Sequence, residues 1–305
     1  MPEAFAIADE VRDAQAGHVG VVALETSVIG QGLPSPRNDE CVRRMTDAVR
    51  EEGAVPAWIG VADGTLTVGL GDRALVRFCE PGAATKVARR DVPMAVTNRA
   101  LGATTVSATI WAAAMAGVRV GATGGIGGVH PGERGDVSAD LLELARTPGM
   151  LVCSGPKSIV DPVATADKLE ELGVSVVGYR VDRLPFFLTT GSSVELEHTI
   201  DSAGQGADML AAALALSVPS TLVVANPVPP ASAMASGEVE GAVREAERRA
   251  TESGISGKGR TPFLLAALAE LTGGRSLDAN IDLLESNARL AGEIAAAHAS
   301  AHARR

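Results

Sequence analysis

The run Thr123-Gly124-Gly125-Ile126-Gly127-Gly128-Val129-His130 is followed by Asp136, Ser138, Asp140 and Lys157. Carboxylates, a hydroxyl and an amine beside a glycine loop can move protons, hold an anion and attack a carbonyl carbon. Glycine lets the backbone turn tightly and approach a ligand with no Cβ in the way. The strict dinucleotide and P-loop glycine patterns are absent, so a generic phosphate loop and a plain strand-to-helix turn fit the run about equally. Glu25 closes the apolar run Val21-Val22-Ala23-Leu24. A carboxylate there is costly to bury unless it is paired or protonated. It therefore reads either as a general acid–base group or as a strand-end partner for a lysine. Lys157 alone would read as a solvated loop lysine. The company of Glu25, Lys86, Asp136 and Asp140, all near predicted strand ends or helix starts, favours an amine nucleophile. Lys86 with Arg89 and Arg90 reads as a natural phosphate clamp or, for two of the three, as plain surface charge. His130 reads as a phosphate ligand or proton shuttle, although a lone loop histidine is more often neither. Asp136 and Asp140, four apart, suit a hard divalent cation rather than zinc, because no second His or Cys lies near.

These side chains need strands to present them. Short apolar runs predict strands at 19–24, 57–61, 66–68, 93–97, 118–122, 150–153, 174–177 and 221–225. Asp63-Gly64 predicts a hairpin turn between the second and third of these. Helices are predicted from Asn38 to Gly53, over 75–79, 104–117 and 139–146 with Ser138 as cap, and from Asp161-Pro162 to Gly173. Further helices are predicted over 238–253, 262–271 and 278–297. Residues 30–36 read as a loop, 179–205 as a lid or subunit contact, and 298–305 as a frayed tail. Residues 1–18 form a polar, partly helical lead-in, so that 19–297 is a single domain. Alternating strands and helices predict an α/β layered fold with a largely parallel sheet. Ligands bind such sheets at the C-terminal ends of their strands, where Glu25, the glycine run and Lys157 all fall.

A composition 46% hydrophobic but only 3% aromatic gives a core of Ala, Val, Leu and Ile, which suits packed layers and argues against disorder. The net charge of −10 argues against sequence-independent nucleic-acid binding. Cys41, Cys79 and Cys153 are too scattered for a disulfide framework. No signal peptide or membrane-length apolar run is visible, and the expected location is the cytoplasm.

The chain resembles the pseudouridine-5′-phosphate glycosidase family, which includes indigoidine synthase A-like proteins. The matching pieces are 21–25, 53–57, 85–91, 101–106, 122–130 and 138–145, followed by 224–229, 261–266 and 271–277. They cover nearly the whole chain in order. The resemblance implies a three-layer α/β/α fold, a homotrimer and reversible cleavage of pseudouridine 5′-phosphate to uracil and ribose 5-phosphate. A C–C glycosidic bond has no glycosidic nitrogen to protonate and expel. The implied chemistry therefore runs through ring opening and an imine between a lysine and C1′. By resemblance Lys157 is the nucleophile and Glu25 the proton donor. Lys86, Val106, Ser138, Ala139 and Asp140 contact substrate, Asp136 holds one Mn²⁺, Thr123 and His130 lie on the phosphate side, and Asn280 stands near the site. Departures are Glu25-Thr26-Ser27 for the family's Glu-Ser-Thr, Pro131 after His130, a loop to Asp136 about two residues shorter, and Ser154-Gly155-Pro156 before Lys157. Two other functions remain open: another imine-forming sugar-phosphate or C-nucleotide lyase or aldolase, and a non-catalytic phosphometabolite-binding protein.

Overall fold

The computed structural model describes residues 4–131, 136–255 and 259–302. Its strands are β1 (Phe5–Ile7), β2 (Val21–Glu25), β3 (Val55–Ala62), β4 (Thr65–Val68), β5 (Thr85–Val87) and β6 (Gly102–Thr104). They continue with β7 (Val120–Ala122), β8 (Gly149–Cys153), β9 (Val176–Tyr179), β10 (Thr199–Ile200) and β11 (Thr221–Ala225). They join one sheet in the order β1-β4-β3-β2-β7-β8-β11-β9-β10, with β6 paired to β3 and β5 beside it. Every pairing is parallel except β3–β4 and β3–β6. The central strands β2, β8 and β11 are buried almost throughout, as apolar runs without polar alternation require of a sheet covered on both faces. Separate apolar clusters fill the two faces. One is built around Leu24, Trp58 and Leu284, the other around Val21, Ile59 and Ala112. This is a single α/β/α domain.

The hairpin forms as predicted, with Asp63 (φ 53) and Gly64 (φ 88) both left-handed, the backbone that a tight primed turn needs. Two predicted caps form. Ser138 Oγ accepts from Asp140 N at 3.2 Å, and Asp161 Oδ1 accepts from Val163 N at 2.9 Å and Ala164 N at 3.0 Å. The Asn38 cap does not form: that helix starts at Arg37, and Asn38 Nδ2 donates to Ile29 O and Cys79 O instead.

Several expectations need correction. The lead-in contributes β1, which pairs with β4 at the sheet edge, before the helix Asp9–Ala16. Residues 93–97 lie in a helix, Val92–Thr97, where Pro93 occupies a first-turn position that proline fits. Within 30–36, Val28–Gly32 closes a π-helical turn. The stretch 179–205 places β10 on the sheet edge and starts the helix Ala203–Ala215, capped by Ser202, which the small-residue composition concealed. The terminal helix runs over Arg275–His302, well into the stretch expected to fray.

Candidate active site

β2, β7 and β8 are adjacent and parallel, so their C-terminal ends meet on one rim of the sheet. Glu25 ends β2, Thr123 follows β7, and Lys157 comes four residues after β8. All three line one cavity of about 300 Å³. Lys86, His130, Asp136, Ser138, Ala139, Asp140 and Asn280 line it too. Val106 does not; its side chain is buried among Ile110, Ile126 and Leu141, and the adjacent Thr105 reaches the cavity instead.

Glu25 is 1% exposed. One carboxylate oxygen accepts from the Thr123 hydroxyl and the other from Ser27 Oγ at 3.0 Å. Burial pushes its pKa above the ordinary 4.5, opposed by the positive charge of Lys157 and by the Thr123 hydrogen bond, and aided by the negative charge of Asp140. That is the environment of a carboxyl group that holds a proton and can deliver it, with an amine in the same cavity. Both sequence readings of Glu25 are thus partly realised: a charge partner is near, but burial dominates.

The glycine run serves packing more than ligand approach. None of Gly124, Gly125, Gly127 or Gly128 has a left-handed φ. A Cβ on Gly127 would lie 2.3 Å from Ser138 Oγ, one on Gly128 2.3 Å from Thr165 Oγ1, and one on Gly125 2.8 Å from the Phe187 ring. Protein atoms, rather than a ligand, fill the space these glycines leave. The amides of Ile126, Gly127 and Val129 donate to Gly155 O, Asp140 Oδ2 and Thr165 Oγ1. The phosphate-loop reading thus loses most of its donors.

Asp140 holds backbone as well. Its two oxygens accept from Ser107 N at 3.0 Å and Gly127 N at 3.1 Å, which withdraws it from the metal pair its spacing suggested. Asp136 remains in the cavity lining, where its charge acts on His130. Among the described residues no group of three or more His, Cys, Asp or Glu could hold an ion. One carboxylate fits a hard cation that keeps most of its waters, and does not fit a zinc cage. The shortened loop lies at 132–135, outside the described residues.

Positive charge also lines the cavity, with Lys86 and Arg260 both acting on His130. Lys86 and Arg90 line it, but Arg89 leaves the expected clamp. Its guanidinium bonds Glu143 Oε1 at 2.7 Å and lies 5.1 Å from the Trp111 ring centre. Arg260 joins instead, at the start of the helix Arg260–Leu271, with Nη2 2.6 Å from Glu247 Oε2. His130 lies among these charges. Burial lowers its pKa from 6.5, against Asp136 and Glu247 and with Arg260 and Lys86, which favours the neutral ring.

A family model described as indigoidine synthase A like protein matches residues 10–297. The chain belongs to the indigoidine synthase A-like family. It is 45% identical to the pseudouridine-5′-phosphate glycosidase of Hahella chejuensis, covering 96% of this chain and 97% of the relative. To the enzyme of that name from Sorangium cellulosum it is 46% identical, over 96% and 93%. Among solved structures, the prealnumycin C-glycosynthase in complex with ribulose 5-phosphate superposes with a TM-score of 0.90, at 38% identity over 100% of both chains. An indigoidine synthase A-like protein of Thermotoga maritima gives 0.88 at 37% identity, over 96% of each.

In this member of the family, sequence reasoning had missed Arg260, Ser27 and Phe187, which all line the cavity. Arg260 lies more than one hundred residues after Lys157, and only a helical pair packed on Ile159 and Val160 brings it back. Phe187 had a signal, an aromatic in a stretch read as a lid.

Proposed function

We propose that this protein is a pseudouridine-5′-phosphate glycosidase that cleaves the C–C glycosidic bond reversibly, giving uracil and ribose 5-phosphate through an imine on Lys157. The observation that carries this reading is the pairing of a buried Glu25, its pKa raised by burial, with Lys157 in a cavity also lined by Lys86, Arg90 and Arg260. The relatives bearing that name, at 45% and 46% identity, support the substrate.

Lys86, Arg90 and Arg260 take the 5′-phosphate and leave the sugar's C1′ toward Lys157. The C1′–O4′ bond breaks as an electron pair of the uracil ring forms a C1′=C double bond and O4′ takes a proton. The lysine amine then adds to C1′, returning that pair to the ring, and loses a proton. The C–C bond then breaks as the nitrogen lone pair forms the C1′=N bond, and the electron pair leaving C1′ goes to the uracil ring carbon. That carbon takes a proton, which Glu25 is placed to supply. Water hydrolyses the imine to ribose 5-phosphate and frees the lysine. Thr123 and Ser27 hold the Glu25 carboxyl in place throughout. Asp136 is the residue that would hold a Mn²⁺ largely ligated by water, and such an ion would supply positive charge to substrate oxygens.

A second reading keeps the pentose-phosphate half and changes the base, as the C-glycosynthase bound to ribulose 5-phosphate suggests. The higher identity to the glycosidases makes uracil the first choice. Incubation with pseudouridine 5′-phosphate decides: release of uracil supports the proposal, and turnover only with another aromatic acceptor replaces it.

Two outcomes follow for the cavity's charged rim. Arg260→Ala is expected to raise KM for pseudouridine 5′-phosphate by about 10- to 100-fold while kcat changes little, since a charge-assisted bond to phosphate contributes about 1.5–3 kcal/mol. Steady-state kinetics check this. Chelation, or Asp136→Asn, is expected to lower activity, with Mn²⁺ restoring the chelated wild type but not the variant. Unchanged activity after exhaustive chelation would remove the metal from the account.

The trimer and the cytoplasmic location belong to the same proposal. Light scattering of the purified protein tests the former. Among the described residues no helix is long and apolar enough to cross a membrane.

A further inference from the structure

Sheet pairing fixes the strands up to Ala122 in β7, Cys153 in β8 and Ala225 in β11. The catalytic groups lie at or just past these strand ends. Backbone bonds there still link the chain after β7 to that after β8 (Ser154 N to Gly124 O at 2.8 Å, Ile126 N to Gly155 O at 3.1 Å) and β8 to β11 (Asn226 N to Cys153 O at 2.8 Å). One side chain ties them together there. Asn287, on the helix Arg275–His302, is 0% exposed. Its Nδ2 donates to Thr123 O at 2.8 Å and to Ser154 Oγ at 3.1 Å, and its Oδ1 accepts from Asn226 Nδ2 at 2.9 Å. Thr123 follows β7, Ser154 follows β8 and Asn226 follows β11, so a single amide joins all three strand ends.

We propose that Asn287 is a positioning residue that sets the separation of Glu25 and Lys157. This rests on the glycosidase reading above. On one side the chain of contacts runs from Asn287 to Thr123, whose hydroxyl holds the Glu25 carboxyl. On the other it runs to Ser154, three residues before Lys157, whose amide also donates to Gly124 O at 2.8 Å. Only an amide meets these demands. Thr123 O needs a donor and Asn226 Nδ2 needs an acceptor, so a carboxylate would fail the first and a leucine both, leaving buried groups unpaired. The same helix carries Asn280 two turns earlier at the cavity wall, so it forms part of the site as well as its support. Because displacing a catalytic group by about 1 Å can lower the rate about 100-fold, this clasp acts on the chemical step more than on binding.

The test uses the full-length protein with Asn287→Leu and, as a milder change that removes a single hydroxyl, Ser154→Ala. For Asn287→Leu, kcat is expected to fall about 10- to 100-fold with KM within about threefold of wild type. The basic limb of the kcat–pH profile is expected to move to higher pH, since the Thr123 bond that lowers the pKa of Glu25 is loosened. Ser154→Ala should move both quantities in the same direction by less. An unaltered pH profile with unchanged kcat in either folded variant overturns the proposal. If Asn287→Leu does not fold, Ser154→Ala decides alone. If wild type releases no uracil, the glycosidase reading fails first, and the rate at which ribose 5-phosphate is trapped on Lys157 replaces kcat as the readout: slower trapping in the variants supports the clasp, and equal trapping overturns it.

Discussion

Lys157→Ala is expected to reduce turnover of pseudouridine 5′-phosphate by about four orders of magnitude or more, as removal of a covalent nucleophile does elsewhere. The fold should survive. Lys157 is half-buried at the cavity edge, and its fixed contacts are backbone ones: its amide donates to Ile126 O at 3.0 Å and its carbonyl accepts from Val160 N at 3.1 Å. Alanine keeps both. Circular dichroism and thermal melting should therefore match wild type while uracil release is lost. Residual activity above about one per cent of wild type would remove the imine from the mechanism, because no other lysine besides Lys86 lines the cavity among the described residues.

Glu25→Gln is expected to lower kcat by about 10²- to 10⁴-fold, the range for a positioned general acid. Its effect on stability separates it from an ordinary core substitution. In the folded protein the Glu25 pKa lies above its ordinary 4.5 because of burial. Between 4.5 and that raised value the folded state binds more protons than the unfolded one, so the contribution of Glu25 to stability declines as pH rises through this window. Glutamine has no such titration; its Oε1 can accept from Thr123 while its Nε2 donates to the Ser27 hydroxyl oxygen. The difference in melting temperature, variant minus wild type, should thus grow from pH 4.5 upward. A difference that shrank over this range would mean that Glu25 is held ionised by Lys157, and would shift the acid role elsewhere.

The site's centre was legible because it obeys a local rule. Glu25 is a charge at the end of a wholly apolar strand, and Lys157 follows a second such strand, so both fall on the rim where α/β sheets bind ligands. The family resemblance assigned their roles. What stayed hidden depends on tertiary contact. Asp136 and Asp140 look equivalent in spacing, yet Asp140 is committed to two backbone amides. Arg89 and Arg90 are neighbours, yet Glu143 and Trp111 draw the first away from the cavity. Asn287 sits in a helix between Ser286 and Ala288 with nothing local to mark it as the partner of three strand ends. The fold was misread where elements are very short, as in β1, or where a short apolar run read as a strand although its proline starts a helix, as at Pro93.

The most direct test of the central claim is reduction with borohydride in the presence of ribose 5-phosphate, followed by mass spectrometry of the peptide that carries Lys157. The account predicts a stable pentose-phosphate adduct on Lys157, absent from Lys157→Ala and not transferred to Lys86. Binding of ribose 5-phosphate, shown independently, with no adduct on Lys157 would contradict it.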